Sequence, residues 1–140
     1  LRRLEHPTAR NALGTALLSA ASACADISDG LVQDLRHILD RSDVGAELLL
    51  EAIPADPSVC SLSRDKLSTA LLSGGDDYEL VFTAPAEKRG LVEQASISAL
   101  TPITRIGRVV SKDSQTHRLT VRDAEGRPLP LTSEGFDHFN

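Results

Sequence analysis

Two short runs hold the residues best suited to chemistry, Asp26-Ile27-Ser28-Asp29-Gly30-Leu31 and Ser73-Gly74-Gly75-Asp76-Asp77-Tyr78-Glu79-Leu80. In the first, two carboxylates and a hydroxyl stand immediately before a helical pattern, so hard oxygen ligands would lie beside free backbone N–H groups. Magnesium takes oxygen ligands and is usually held by one or two carboxylates together with a substrate phosphate. Such a loop could grip a magnesium-bridged phosphate. The competing reading is that Ser28 or Asp29 caps the helix and Gly30 eases the backbone. An EF-hand is excluded, because the glycine comes one residue early and His37 takes the place of the terminal Glu.

In the second run, glycines let a ligand approach the backbone, and an acid beside them can accept hydrogen bonds from an amino-bearing or cationic substrate. Strand alternation would put Asp77 and Glu79 on one face and leave Asp76 in the loop. A helix end followed by a solvated strand start is the plainer alternative. A third segment, Glu134-Gly135-Phe136-Asp137-His138-Phe139, carries two of the four aromatic residues. Phe136 could stack on a flat ring or fill the core. His138 has no His or Cys partner at metal-binding spacing. Neither a Walker A sequence nor Gly-x-Gly-x-x-Gly occurs, so phosphoryl transfer would rest on positioning and charge neutralisation.

The elements that must position these residues follow from hydrophobic spacing. Thr8 to Ala23 reads as a helix, with Leu13, Leu17 and Leu18 in register and Thr8 available as an N-cap. After the acidic loop, Leu31, Val32, Leu35, Ile38 and Leu39 mark an amphipathic helix with Asp34, Arg36 and Asp40 assigned to its polar side. Val44 to Leu50 suits a strand and Ser61 to Leu72 a helix that the glycines after Ser73 terminate. Asp77 to Thr83 alternates as a strand, and Pro85 to Leu100 reads as a helix. Ile103 to Val110 and His117 to Arg122 suggest an antiparallel pair, followed by a short edge strand containing Pro128 and Pro130. Together these predict an α/β (α+β layered) domain with a mixed β-sheet and helices packed on it.

Composition narrows the class. The 140 residues fit one domain, without Met or Trp, and Leu1 suggests a piece of a longer polypeptide. A net charge of −5 argues against a nucleic-acid partner, whose footprint is a basic face. No apolar run approaches a membrane span. Cys24 and Cys60 form no metal or disulfide motif, which fits a reducing, cytoplasmic setting.

Taken in order, Asp26-Ile-Ser-Asp-Gly-Leu31, Asp34-Leu35, His37-Ile38, Ser73-Gly-Gly-Asp-Asp-Tyr-Glu-Leu80, Ile106-Gly107-Arg108 and Gly135-Phe-Asp-His-Phe139 closely resemble the thiamine-monophosphate kinases across almost the whole chain. The resemblance implies the C-terminal domain of a two-domain enzyme, residues 1–140, with the fold shared by aminoimidazole-ribonucleotide synthetase and selenophosphate synthetase. It implies transfer of the γ-phosphoryl group of ATP to thiamine phosphate, giving thiamine diphosphate, with Mg2+ ions on the phosphates. By the same resemblance Asp26 and Asp29 are magnesium ligands and Ser28 an ATP contact. Asp76, where the family usually carries Glu, contacts thiamine phosphate, and Phe136 packs on that substrate. The N-terminal ATP-binding and dimerisation domain is absent from this chain, so a homodimer would form outside it and the isolated piece would fold without catalysing. Two alternatives stay open: a related ATP-dependent synthetase of the same fold, and a non-catalytic binding module.

Overall fold

The computed structural model of the chain describes residues 10–55, 57–73, 79–112 and 118–131. Helix α1 covers Asn11–Ala16 and tightens into a 3-10 turn at Leu17–Ser19. Strand β1 is Ala23–Asp26, and helix α2, Leu31–Ser42, follows the acidic loop. Strand β2, Gly45–Leu49, leads through a 3-10 turn to helix α3, Arg64–Ser73. Strand β3 is Leu80–Thr83, helix α4 is Arg89–Ser98 behind a 3-10 turn at Ala86–Lys88, and strands β4 and β5 are Gly107–Val110 and Leu119–Arg122.

The strands form two sheets. β1 and β3 pair antiparallel as a ribbon, with Asp26 opposite Leu80 and Ala23 opposite Thr83. The second sheet is mixed, in the order β4-β2-β5: β2 pairs antiparallel with β4 and parallel with β5. The expected hairpin of β4 and β5 is therefore corrected, because β2 lies between them. Gly107 makes the β2–β4 approach possible, since a Cβ there would run into the backbone of Glu47 and come 2.7 Å from Leu48 Cδ2. The segment with Pro128 contributes a single antiparallel bridge to Arg122 rather than an edge strand.

Apolar burial explains the layers. The amphipathic stripe of α2, Leu31, Val32, Leu35, Ile38 and Leu39, is buried, with Leu39 fully so, against Ala46, Leu48, Leu72, Val81, Leu119 and Val121. A smaller cluster of Leu13, Leu17 and Ala95 joins α1 to α4, and Leu80 and Phe82 pack on it. The β1–β3 ribbon thus separates two apolar layers: Ala23, Ala25 and Val81 face one, Leu80 and Phe82 the other. The helix expected over Thr8 to Ala23 is shorter. Thr8 lies outside the described residues, and Ala23 already belongs to β1, because pairing with β3 gives its backbone groups partners that a continued helix would forgo. Among the described residues, no helix is long and apolar enough to cross a membrane.

Candidate functional site

The site begins where β1 ends. Cys24 and Asp26 are exposed on one face of the strand while Ala23 and Ala25 turn toward the core, the alternation a β-strand imposes. Ile27 N–H donates to the carbonyl of Glu79 at 2.8 Å, which extends the ribbon by one hydrogen bond and pins the acidic loop beside the second run of acids. Ser28 and Asp29 follow, both exposed.

Gly30 then starts α2, with φ 127° and ψ 152°, and makes no side-chain cap hydrogen bond. Neither Ser28 nor Asp29 caps the helix, so that half of the competing reading does not hold, while Gly30 does ease the backbone through its positive φ. Nor are the backbone N–H groups free. The buried carboxylate of Asp34 reaches back from the first turn and accepts from the N–H groups of Ser28 at 2.8 Å, Asp29 at 3.0 Å and Gly30 at 3.3 Å, all on Oδ2. Asp34, assigned by pattern to the polar side, is 7 % exposed. A signal for this was present: Asp34 stands three residues after Leu31 and four before Ile38, on the apolar stripe.

Gly30 packs against Ser73, the last residue of α3. A Cβ at Gly30 would lie 3.1 Å from Ser73 Cα and 3.2 Å from its carbonyl carbon and oxygen, so the absence of a side chain lets the acidic loop lie against the end of α3. Further along, the Arg10 guanidinium forks onto the Glu79 carboxylate, Nε donating to Oε2 at 3.1 Å and Nη2 to Oε1 at 3.0 Å. That hydrogen-bonded carboxylate holds the Arg10 pKa above its ordinary value.

These parts enclose an open groove of about 690 Å³, bounded by Arg10, Asn11, Gly14 and Thr15 on the α1 side and by Cys24, Asp26 and Ser28 on the ribbon side, with Leu18, Ile27 and Leu80 as its apolar wall. The size is that of a pocket for a nucleotide or other small molecule. Asp26 and Ser28 line it; Asp29 stands next to it in sequence but is not part of the lining. Desolvation at the groove wall, and then the Asp26 carboxylate, push the Cys24 thiol above its usual pKa, so the sulfur remains a protonated, neutral group. Among the described residues, no cluster of three or more His, Cys, Asp or Glu is arranged to hold a metal ion. The carboxylates of Asp26 and Asp29 and the Ser28 hydroxyl provide hard oxygens on exposed residues. Asp76, Asp77, Phe136 and His138 lie outside the described residues.

The mixed sheet, the β1–β3 ribbon and the helices packed on them make an α+β domain of a known class. The chain belongs to the family of the AIR synthase related protein, C-terminal domain, whose model matches residues 3–120. Within that class its similarity is to thiamine-monophosphate kinases. It is 42% identical to the one from Haemophilus influenzae over 135 residues, covering 95% of this chain and 40% of that protein. To the one from Salmonella typhimurium it is 39% identical over 140 residues, covering 99% of this chain and 42% of the relative. Two solved structures agree. The thiamine-monophosphate kinase of Stenotrophomonas maltophilia superposes with a TM-score of 0.76 at 40% identity, over 86% of this chain and 37% of its own. AaThiL complexed with AMPPCP and TMP gives a TM-score of 0.70 at 31% identity, over 99% of this chain and 40% of its own. The chain thus spans about two fifths of the length of the curated relatives it matches.

Proposed function

We propose that this chain is the C-terminal part of an ATP-dependent kinase that passes the γ-phosphoryl group of ATP to thiamine phosphate and forms thiamine diphosphate. The observation that carries the reading is the loop Asp26-Ile27-Ser28-Asp29. Its backbone donors are occupied internally, Asp26 and Ser28 open onto the groove, and the acids and the hydroxyl are exposed. Support comes from the similarity to thiamine-monophosphate kinases and from the relative complexed with AMPPCP and TMP.

The donor set fits magnesium, which prefers carboxylate and other oxygen ligands, and the neutral Cys24 thiol adds no soft thiolate to compete. Asp26 and Asp29 would hold the ion, which supplies neutralisation of the phosphate charges when bound. Ser28 would donate a hydrogen bond from its hydroxyl to a phosphate oxygen of ATP. The apolar wall of Leu18, Ile27 and Leu80 would exclude water from one side of the groove. Asp76 and Phe136 would engage thiamine phosphate, the acid by accepting a hydrogen bond and the ring by stacking. The rest of the site, and the contact that makes the whole enzyme a homodimer, would come from sequence outside this chain. With a net charge of −5 no nucleic-acid or membrane partner is proposed, and the enzyme would work in the reducing cytoplasm.

The test is thiamine diphosphate formation by the complete polypeptide carrying this chain, with Asp26→Asn and Asp76→Ala as variants. Loss of a charge that positions transferring phosphate is expected to lower turnover by about 100-fold or more in Asp26→Asn. In Asp76→Ala the loss should appear mainly as a higher KM for thiamine phosphate. Unchanged turnover in both variants would sink the assignment.

A further inference from the structure

We propose that Asp34 is the positioning residue of this site: its buried carboxylate fixes the 28–30 backbone, so that the loop offers side-chain oxygens to a cation instead of backbone N–H groups to an anion. The proposal rests on the kinase reading above for the identity of the site. Helix starts that bind phosphate directly do so with unoccupied N–H groups. Here one carboxylate oxygen takes three successive N–H groups, at 2.8, 3.0 and 3.3 Å, and the Asp34 N–H in turn donates to the Gly30 carbonyl at 3.0 Å. The acid therefore occupies the position a bound phosphate oxygen would take. With three donors on it, its charge is satisfied inside the fold. On its other side Gly30 lies close against the backbone of Ser73, where a side chain would not fit without a shift. A nucleotide phosphate must then reach the loop through a cation on Asp26 and Asp29 or through the Ser28 hydroxyl.

The experiment uses the complete polypeptide and two readouts that do not depend on turnover. The first is hydrogen exchange of the Ser28, Asp29 and Gly30 N–H groups without metal. The second is titration with Mn2+ as a magnesium probe. In Asp34→Ala, exchange at those three groups is expected to quicken at least tenfold while Leu35 and Leu39 keep their protection, and half-saturation by Mn2+ should rise at least tenfold. Asp34→Asn keeps an acceptor oxygen in place and should recover affinity to within about threefold of the parent. Adding Asp34→Ala to Asp26→Asn should weaken Mn2+ binding less than twofold further, because both act through one loop. Should Asp34→Ala fail to fold, Asp34→Glu, which keeps the charge but moves it by one methylene, is read against the same tenfold thresholds. Parent-like exchange, or parent-like Mn2+ affinity beside a clear loss in Asp26→Asn, would overturn the role of Asp34 alone. Parent-like affinity in Asp26→Asn itself would overturn the metal reading and this proposal with it.

Discussion

Gly30 sets the acidic loop against Ser73 at the end of α3, and two constraints act on it at once. Its φ of 127° is a conformation that L side chains rarely adopt, and the atoms a Cβ would meet are backbone atoms of Ser73, which cannot rotate away. Strain and overpacking together are expected to make Gly30→Ala about 2 kcal/mol or more less stable, read as a lower urea midpoint at unchanged slope. A midpoint within experimental error of the parent would show that Gly30 does not lie against Ser73. Cys24 is the second informative residue. Partial desolvation at the groove wall, and after it the Asp26 carboxylate, raise its pKa, so its thiolate fraction stays low at neutral pH and grows only as pH climbs past the usual thiol range. Removing the negative charge in Asp26→Asn lowers that pKa, and alkylation of Cys24 at pH 8 should quicken by roughly twofold to fivefold. The change is modest because desolvation at the groove wall, the larger cause, remains. Slower alkylation would mean that Asp26 does not face the thiol.

At the scale of elements, α1 is held to the ribbon by the small cluster around Leu17 and by the Arg10–Glu79 fork, whose side chains are 21 % and 31 % exposed. A two-pronged, partly buried pair of this kind couples by about 0.5–1.5 kcal/mol, which a double-mutant cycle of Arg10→Ala and Glu79→Ala should return from denaturation curves. Coupling near zero would make the fork incidental to the packing of α1. The sequence made α2 legible because five apolar residues repeat at helical spacing, and those residues are the ones buried. Strand β1 was not legible: Ala23-Cys24-Ala25-Asp26 has small residues that continue a helical pattern, and only pairing with β3 makes it a strand. The partners of β4 and β5 were hidden for another reason, since alternation says which face of a strand is buried but not which strand lies beside it. At the site, the types and spacing of Asp26, Ser28 and Asp29 could be read directly. The use of Asp34 could not be read from polarity alone, because a charged residue on an apolar stripe is explained only by the three N–H groups that satisfy it.

Across the whole molecule, the ribbon ties the two apolar layers into one unit, so damage to either should be felt by both. Leu39→Ala in the main core and Leu17→Ala in the smaller cluster each delete a side chain that is at most 1 % exposed. Losses of about 2–5 kcal/mol are expected, within a single unfolding transition. Two separate transitions would mean that the α1–α4 layer is an independent unit. The same core predicts that the 140-residue chain folds by itself, since its largest apolar cluster is closed by its own elements. Catalysis is a different matter. The groove is open, the acidic loop supplies two carboxylates where phosphates need a fuller set of charges around them, and the relatives whose activity is proposed here are more than twice as long. The chain alone should therefore show a cooperative thermal transition and yet form no thiamine diphosphate from ATP and thiamine phosphate. Product formed by the isolated chain, and lost in its Asp26→Asn variant prepared alongside to exclude a contaminating enzyme, would place a complete active site within these residues.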